Sequence, residues 1–233
     1  MKTLMKKIGI CACYDTKNYG SMLQSFATQI VIERMGYESE FIVYKKKKTI
    51  SFIIKQMPRL LNGNLLSDKK LKYQKKIMLN IYKEIKEKEN IRENEFRRFH
   101  KQYYRRFSKV YYGYEALCEG AKKYESIVVG SDQLWTPGGL ATNFYNLMFV
   151  PERINKVSYA TSFGVSKIPF YQNKRTNKYL KRINYLSVRE IKGVEIVKKV
   201  SGRDAKIVVD PTLLLTKEEW DELLNLIDCI NPN

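Results

Sequence analysis

Short apolar runs, each stopping abruptly at polar residues, recur along the chain and limit what it can fold into. Lys6 to Cys13, Ser39 to Tyr44, Ser126 to Val129, Lys156 to Ala160, Tyr185 to Val188 and Lys206 to Val209 are brief and rich in β-branched or aromatic side chains, which reads as strands. Helical periodicity fills intervals between them, at Ser21 to Met35, Tyr114 to Lys123 and Ile191 to Val200. Ser21 with Gln24, and Thr216 with Glu219, stand at capping-box spacing, and Gly36 ends the first helix. A strand, a helix and a second strand in succession need a crossover, so the first two strands form a parallel pair. The alternation predicts an α/β domain on an open, mostly parallel sheet with helices on both faces.

At 233 residues, 44% of them hydrophobic, the chain can bury a real core and is short for two domains. No window approaches the ~18 to 20 consecutive apolar residues of a membrane span. The N-terminal MKTLMKKIGICAC has a basic start but no cleavage-like end, so a cytoplasmic location is expected. Cys11, Cys13, Cys118 and Cys229 form no CxxC pair, and Cys11 and Cys13 share one face of a strand, where they pack as small apolar residues. His100 is the sole histidine able to complete a zinc set, so structural thiols in a reducing compartment are expected.

The net charge of +19 is uneven: residues 45 to 110 hold 21 Lys+Arg against 6 Asp+Glu. Lys45 to Lys48, Pro58 and Gly63 fit neither period, so the stretch opens as an irregular basic insertion. From Ile77 a helical stripe returns, with Ile77, Ile81 and Ile85 and then Phe96, Phe99, Tyr103 and Phe107. The plainest reading is a lysine-rich helical insertion whose stripe packs on the sheet. Docking on an anionic membrane is the second reading. Nucleic acid is the third: aromatics and basic residues interleave in FRRFHKQYYRRF, yet the rings share a helical face, which favours burial over base stacking.

The functional signal lies in the residues just beyond each strand. In VVGSDQLW, interior valines run straight into Ser131, Asp132 and Gln133. The other exits are Asn18-Tyr19-Gly20-Ser21, Thr161-Ser162-Phe163-Gly164, Arg189-Glu190 and Asp210-Pro211-Thr212, all at the carboxyl ends of parallel strands, the edge where open α/β sheets bind ligands. Each has a blander reading. Asn18 and Gly20 can shape a turn, Glu190 with Ser187 can be a capping box, Asp210-Pro211 is a common turn opener, and Trp135 can fill the core. Arg189 is less easily dismissed, because a permanently charged guanidinium at a sheet rim suits phosphate or carboxylate. Asp132 is the candidate acid or base. Ser21 and the amides after it form a helix N-terminus able to hold an anion. There is no Walker loop, and no GxGxxG comes after any strand, which disfavours standard nucleotide folds.

Read together, NYGSMLQSFATQ, VVGSDQLWTP, KVSYATSFG, YLSVRE and VVDPTLLLTKEEW resemble, in that order, the polysaccharide pyruvyl transferase family. The resemblance implies transfer of a pyruvyl group from phosphoenolpyruvate to sugar hydroxyls of a cell-surface polysaccharide, forming a ketal, with no metal or other cofactor. It implies a fold like the two-lobed GT-B glycosyltransferases, with the site between two Rossmann-like halves and this chain as the N-terminal half. Carried over by position, it implicates Asn18, Gly20, Ser131, Asp132, Gln133, Ser162, Gly164, Arg189 and Glu190 in that cleft. Partners implied are phosphoenolpyruvate and a lipid-linked or polymeric saccharide acceptor, with the membrane as a peripheral surface. Counterparts of the second lobe's Arg and His residues do not occur in this sequence, so weak or no transfer is expected of the chain alone. A GT-B glycosyltransferase using a sugar nucleotide, and a non-catalytic sugar-binding remnant, are the alternatives.

Overall fold

The computed structural model describes residues 6–47, 70–137 (72, 76, 79 and 80 excepted) and 143–228, with side chains described to residue 223. Its strands are β1 (Lys7–Cys11), β2 (Glu38–Phe41), β3 (Tyr44–Lys45), β4 (Tyr111–Tyr112), β5 (Ser126–Val129), β6 (Asn155–Thr161), β7 (Tyr185–Val188) and β8 (Lys206–Ile207). Its helices are α1 (Tyr19–Arg34), α2 (Lys83–Tyr103), α3 (Tyr114–Ala121), α4 (Asn173–Arg182), α5 (Ile191–Ser201) and α6 (Lys217–Asp228). Six strands form one sheet in the order β2-β1-β5-β6-β7-β8, every neighbouring pair parallel. The alternation of short runs and helices is therefore realised as a mixed α/β fold with a parallel sheet.

Alternate strand residues feed two cores, as the period of two in a strand requires. Ile10 and Ala12 pack with Met22 and Phe26 of α1, Phe96 of α2 and Trp220 of α6 on one face. Cys11, Ile127, Val129, Leu186 and Val188 pack with Leu117 of α3, Leu180 of α4 and Ile196 of α5 on the other. Trp135, which could have faced a ligand, is fully buried in this second core, and its Nε1 donates to Tyr145 O at 3.0 Å. Cys11, Cys13 and Cys118 are free thiols; Cys229 lies outside the described residues.

Several local expectations are corrected. α1 starts at Tyr19, and its N-cap is Asn18, whose side chain accepts from Ser21 N at 3.0 Å. Ser21 and Gln24 therefore form no capping box: the helix begins earlier, so Ser21 lies within its first turn rather than at its cap, and Gln24 turns inward. The same spacing holds at α6, where Thr216 Oγ1 accepts from Glu219 N at 3.2 Å and Thr216 N donates to Glu219 Oε2 at 2.7 Å. The strand expected over Ser39 to Tyr44 divides after Phe41, because the chain returning from α2 pairs with it: Phe41 N donates to Arg106 O at 3.0 Å and Ser108 N to Phe41 O at 2.9 Å. Tyr44–Lys45 then joins Tyr111–Tyr112 in a separate parallel pair. This return segment covers the β2 edge, where unpaired backbone groups would otherwise stand open.

The basic stretch is only half accommodated by the core. Phe96 is buried, and Phe99, Tyr103 and Phe107 pack beside it against Phe26, Phe41 and Tyr104. Base stacking by these rings is thereby disfavoured. Ile77, Ile81 and Ile85, expected to continue the same packed stripe, are 40%, 64% and 42% exposed, because α2 meets the sheet layer only from Phe96 onward. The irregular stretch 48–69 lies outside the described residues. Among the described residues no helix is long and apolar enough to cross a membrane.

Candidate active site

From β1 the chain moves to β2 on one side, while β5 lies on the other, so the connections leaving β1 and β5 diverge to opposite faces of the sheet. Such divergence opens a crevice at the carboxyl ends of the two strands. A cleft of ≈ 580 Å³ stands there, lined among others by Asn18, Gly20, Ser21, Asp132, Arg189 and Asp210. All six stand among the strand-exit residues, although for Asp210 a structural role was expected.

Asp132 and Ser21 join the two sides. Ser21 Oγ donates a hydrogen bond to Asp132 Oδ2, linking residues 111 positions apart. Asp132 Oδ1 accepts from Gln133 N at 2.8 Å. The backbone of Asp132 has φ 91, a left-handed conformation uncommon outside glycine, asparagine and aspartate, and it is pinned there by Leu134 N at 2.8 Å and Ser162 N at 2.9 Å donating to its carbonyl. A register shift in β6 between Ser158 and Thr161 delivers Ser162 to that contact, the local re-aiming that bulges provide. The α1 N-terminus, expected to hold a ligand anion, thus already faces an internal one, the Asp132 carboxylate.

A second pair of contacts ties β5 to β7 and β8. Ser131, fully buried, donates from Oγ to Asp210 Oδ2 at 2.6 Å, and Arg189 Nη1 lies 3.3 Å from Ser131 Oγ and 3.2 Å from Asp210 Oδ2. The other Asp210 oxygen accepts from Thr212 N (3.1 Å) and Thr212 Oγ1 (2.8 Å), capping the short 3-10 turn Pro211–Leu214. Burial pushes the Asp210 carboxyl up, but the hydrogen bonds from Ser131, Thr212 and Arg189 outweigh it and hold the group below the usual carboxylate range. Asp210 is therefore both the turn opener expected and a fixed anion at the cleft.

The remaining expected residues group beside the cleft. Glu190 occupies the N-cap position of α5 without capping it with its side chain; Ser187 instead bonds within the sheet to Ser158, so the capping-box reading is corrected. The Glu190 carboxylate reaches Ser162 Oγ at 2.8 Å and Phe163 N at 3.2 Å. Gly164 has φ 63, and a Cβ there would stand 2.8 Å from Gln133 Cδ, so glycine is what lets the Gln133 side chain lie over this loop. Gly20 is different. It sits inside the first turn of α1, and its φ is not among the positive ones, so the turn-shaping reading is corrected too.

Three lining residues stood outside the strand-exit candidates: Leu23, Gln24 and Trp220. Gln24 is 2% exposed; Nε2 donates to Ser21 O at 2.9 Å and Ser25 Oγ at 2.8 Å, while Oε1 has no partner among the described residues. Its place three residues after Ser21 suggested a cap and hid this role. Trp220 Nε1 donates to Thr212 O at 3.1 Å, which brings the indole to the cleft from α6, a helix that sequence periodicity attaches to no strand exit. Among the described residues no three His, Cys, Asp or Glu side chains group as metal ligands would.

Neither a search of curated proteins nor one of solved structures returns a match. The sequence model of the family described as polysaccharide pyruvyl transferase matches residues 18–231, a span that starts at the Asn18 cap and includes every residue of the cleft named above. The chain belongs to the polysaccharide pyruvyl transferase family.

Proposed function

We propose that the cleft at the β1–β5 crevice is where a saccharide hydroxyl is activated to receive the pyruvyl group of phosphoenolpyruvate. The observation that carries this reading is the Asp132 carboxylate, held across the crevice by Ser21 Oγ and by its own neighbouring amide, with one face of the group toward the cleft. Protonation of the donor's enol carbon leaves a cation at C2. The saccharide oxygen adds to it and its proton passes to Asp132; phosphate departs with the electrons of the C–O bond, leaving a cation at C2 again, and a second hydroxyl of the same sugar adds there to close the ketal, its proton going to the departing phosphate. A positioned carboxylate base fits the proton removal.

The charge of the lining supports the assignment of the hydroxyl-bearing partner to this cleft. Among the described lining residues Arg189 is opposed by Asp132 and Asp210, a net negative balance that suits a neutral polyol better than a polyanion. Arg189, with a side chain 36% exposed, is the group able to turn from Asp210 toward a donor carboxylate or phosphate. Further cations are needed for phosphoenolpyruvate, so slow transfer is expected from these residues alone. The test is phosphate release from phosphoenolpyruvate at high protein concentration, with and without saccharide acceptors. Release should require an acceptor and fall by roughly 10²–10⁴ in Asp132→Asn. Equal rates in parent and variant would refute the role of Asp132.

A further inference from the structure

One buried acceptor in the cleft wall is left without a donor. Gln24 is 2% exposed, and both protons of its amide are in use: Nε2 donates to Ser21 O at 2.9 Å and to Ser25 Oγ at 2.8 Å. Ser25 Oγ gives its own proton to Ser21 O at 2.7 Å, so toward Gln24 it can only accept, which fixes the amide with its nitrogen on that side. Oε1 is the free end, with no partner among the described residues. A buried carbonyl oxygen left unpaired is costly, and folded chains keep few of them. Two neighbours place this one. Gln24 stands three residues after Ser21, a rise of about 4.5 Å along α1 from the hydroxyl that holds Asp132. Next to it is Gly130, at the end of β5, where an added Cβ would stand 3.4 Å from Gln24 Oε1 in ordinary contact. The φ of Gly130 is not among the positive ones, so space rather than backbone conformation is what glycine supplies here. That space lets the amide turn toward the cleft, an adjustment of the kind side chains commonly make on binding.

An unpaired acceptor selects its ligand by what it lacks, an O–H or N–H donor. Phosphoenolpyruvate, ionised at its carboxylate and phosphate near neutral pH, brings none, whereas a sugar brings several. A ketal needs two hydroxyls of one sugar, and the Asp132 carboxylate accounts for one of them. We propose that Gln24 Oε1 accepts the second hydroxyl and holds it beside the first, so that the cleft takes a saccharide with two neighbouring hydroxyls on one sugar. This rests on the part of the reading above that puts the saccharide in this cleft. Gln24 orients the hydroxyl and takes no proton, which leaves with the phosphate. A sugar lacking that hydroxyl leaves Oε1 unpaired again, and sites built to hydrogen-bond a hydroxyl reject such analogues strongly.

The test titrates the full chain, read at the Trp220 indole in the cleft, with methyl β-glucoside, methyl β-galactoside and the monodeoxy analogues of each. In the parent, removing either of two hydroxyls from the tighter glycoside should raise Kd roughly tenfold or more. In Gln24→Met the discrimination at one of the two should collapse to about twofold while the other persists, a selective loss that a packing role does not produce. Gly130→Ala keeps the amide and both bonds it donates but crowds Oε1; it should weaken the same discrimination at the parent's melting temperature. Discrimination unchanged in both variants overturns the proposal, as does a parent that binds every deoxy analogue as well as the glycoside itself, or that binds neither glycoside. So does a Gln24→Met whose only change is a different melting temperature, the mark of packing or of a bound water. Binding is read without phosphoenolpyruvate, so a protein that discriminates in this way yet releases no phosphate refutes the transfer reading and leaves the hydroxyl site standing.

Discussion

At the scale of single residues, the cleft works by giving each carboxylate two separate duties. Asp210 uses one oxygen to cap the Pro211–Leu214 turn and the other to hold Ser131 and Arg189. Its folded value lies below the ordinary 3.8, so the stability it contributes is complete above 3.8 and is lost as pH falls through the folded value. Urea midpoints measured downward from neutral pH should therefore fall less steeply at the acid end in Asp210→Asn than in the parent. Gly20 separates stability from binding. Gly20→Ala should stabilise α1 by about 0.5 kcal/mol, read as a higher melting temperature, while weakening ligand binding because the new methyl stands beside Asn18 Oδ1 at the cleft wall. Lower stability with unchanged affinity would contradict that placement. Asn18, Ser21, Asp132 and Arg189 were legible because they come directly after apolar runs. Gln24 and Trp220 were not, since they reach the cleft from within helices by packing, and only the fold shows which way a helix face turns.

At the scale of elements, chemistry local to a few residues was readable and choices between competing local partners were not. Thr216 with Glu219 caps α6 as its spacing implies, but at α1 Asn18 displaces Ser21 from the same role. Asn18→Ala should cost about 1 kcal/mol in chemical denaturation through loss of that cap. The stripe on the basic stretch gives the larger contrast. Phe96 is buried between α1 and the sheet, so Phe96→Ala should cost roughly 3–5 kcal/mol, whereas Ile81→Ser at an exposed position should stay within about 0.5 kcal/mol. Periodicity reported a continuous face from Ile77 to Phe107; it carries no information on where the partner surface ends. The division of the second strand had the same origin, because its neighbour, the segment around Arg106 to Tyr112, arrives from more than sixty residues away.

At the scale of the whole molecule, the strand order β2-β1-β5-β6-β7-β8 brings the exits of β1, β5, β7 and β8 to one crevice and leaves the β6 exit, with Ser162 and Gly164, in the adjoining loop cluster. Parallel pairing was legible from the alternation of runs and helices, and the strand order was not, since pairing across the sheet is decided by contacts distant in sequence. The chain's two tryptophans report directly on where ligand binds: Trp220 lines the cleft, and Trp135 is sealed in the core on the opposite face of the sheet. Titrating ¹⁵N-labelled protein with phosphoenolpyruvate and a saccharide acceptor should move the Trp220 indole N–H resonance and leave that of Trp135 in place. A shift confined to Trp135, or none at either indole while phosphate is being released, would contradict a reaction site at the β1–β5 crevice.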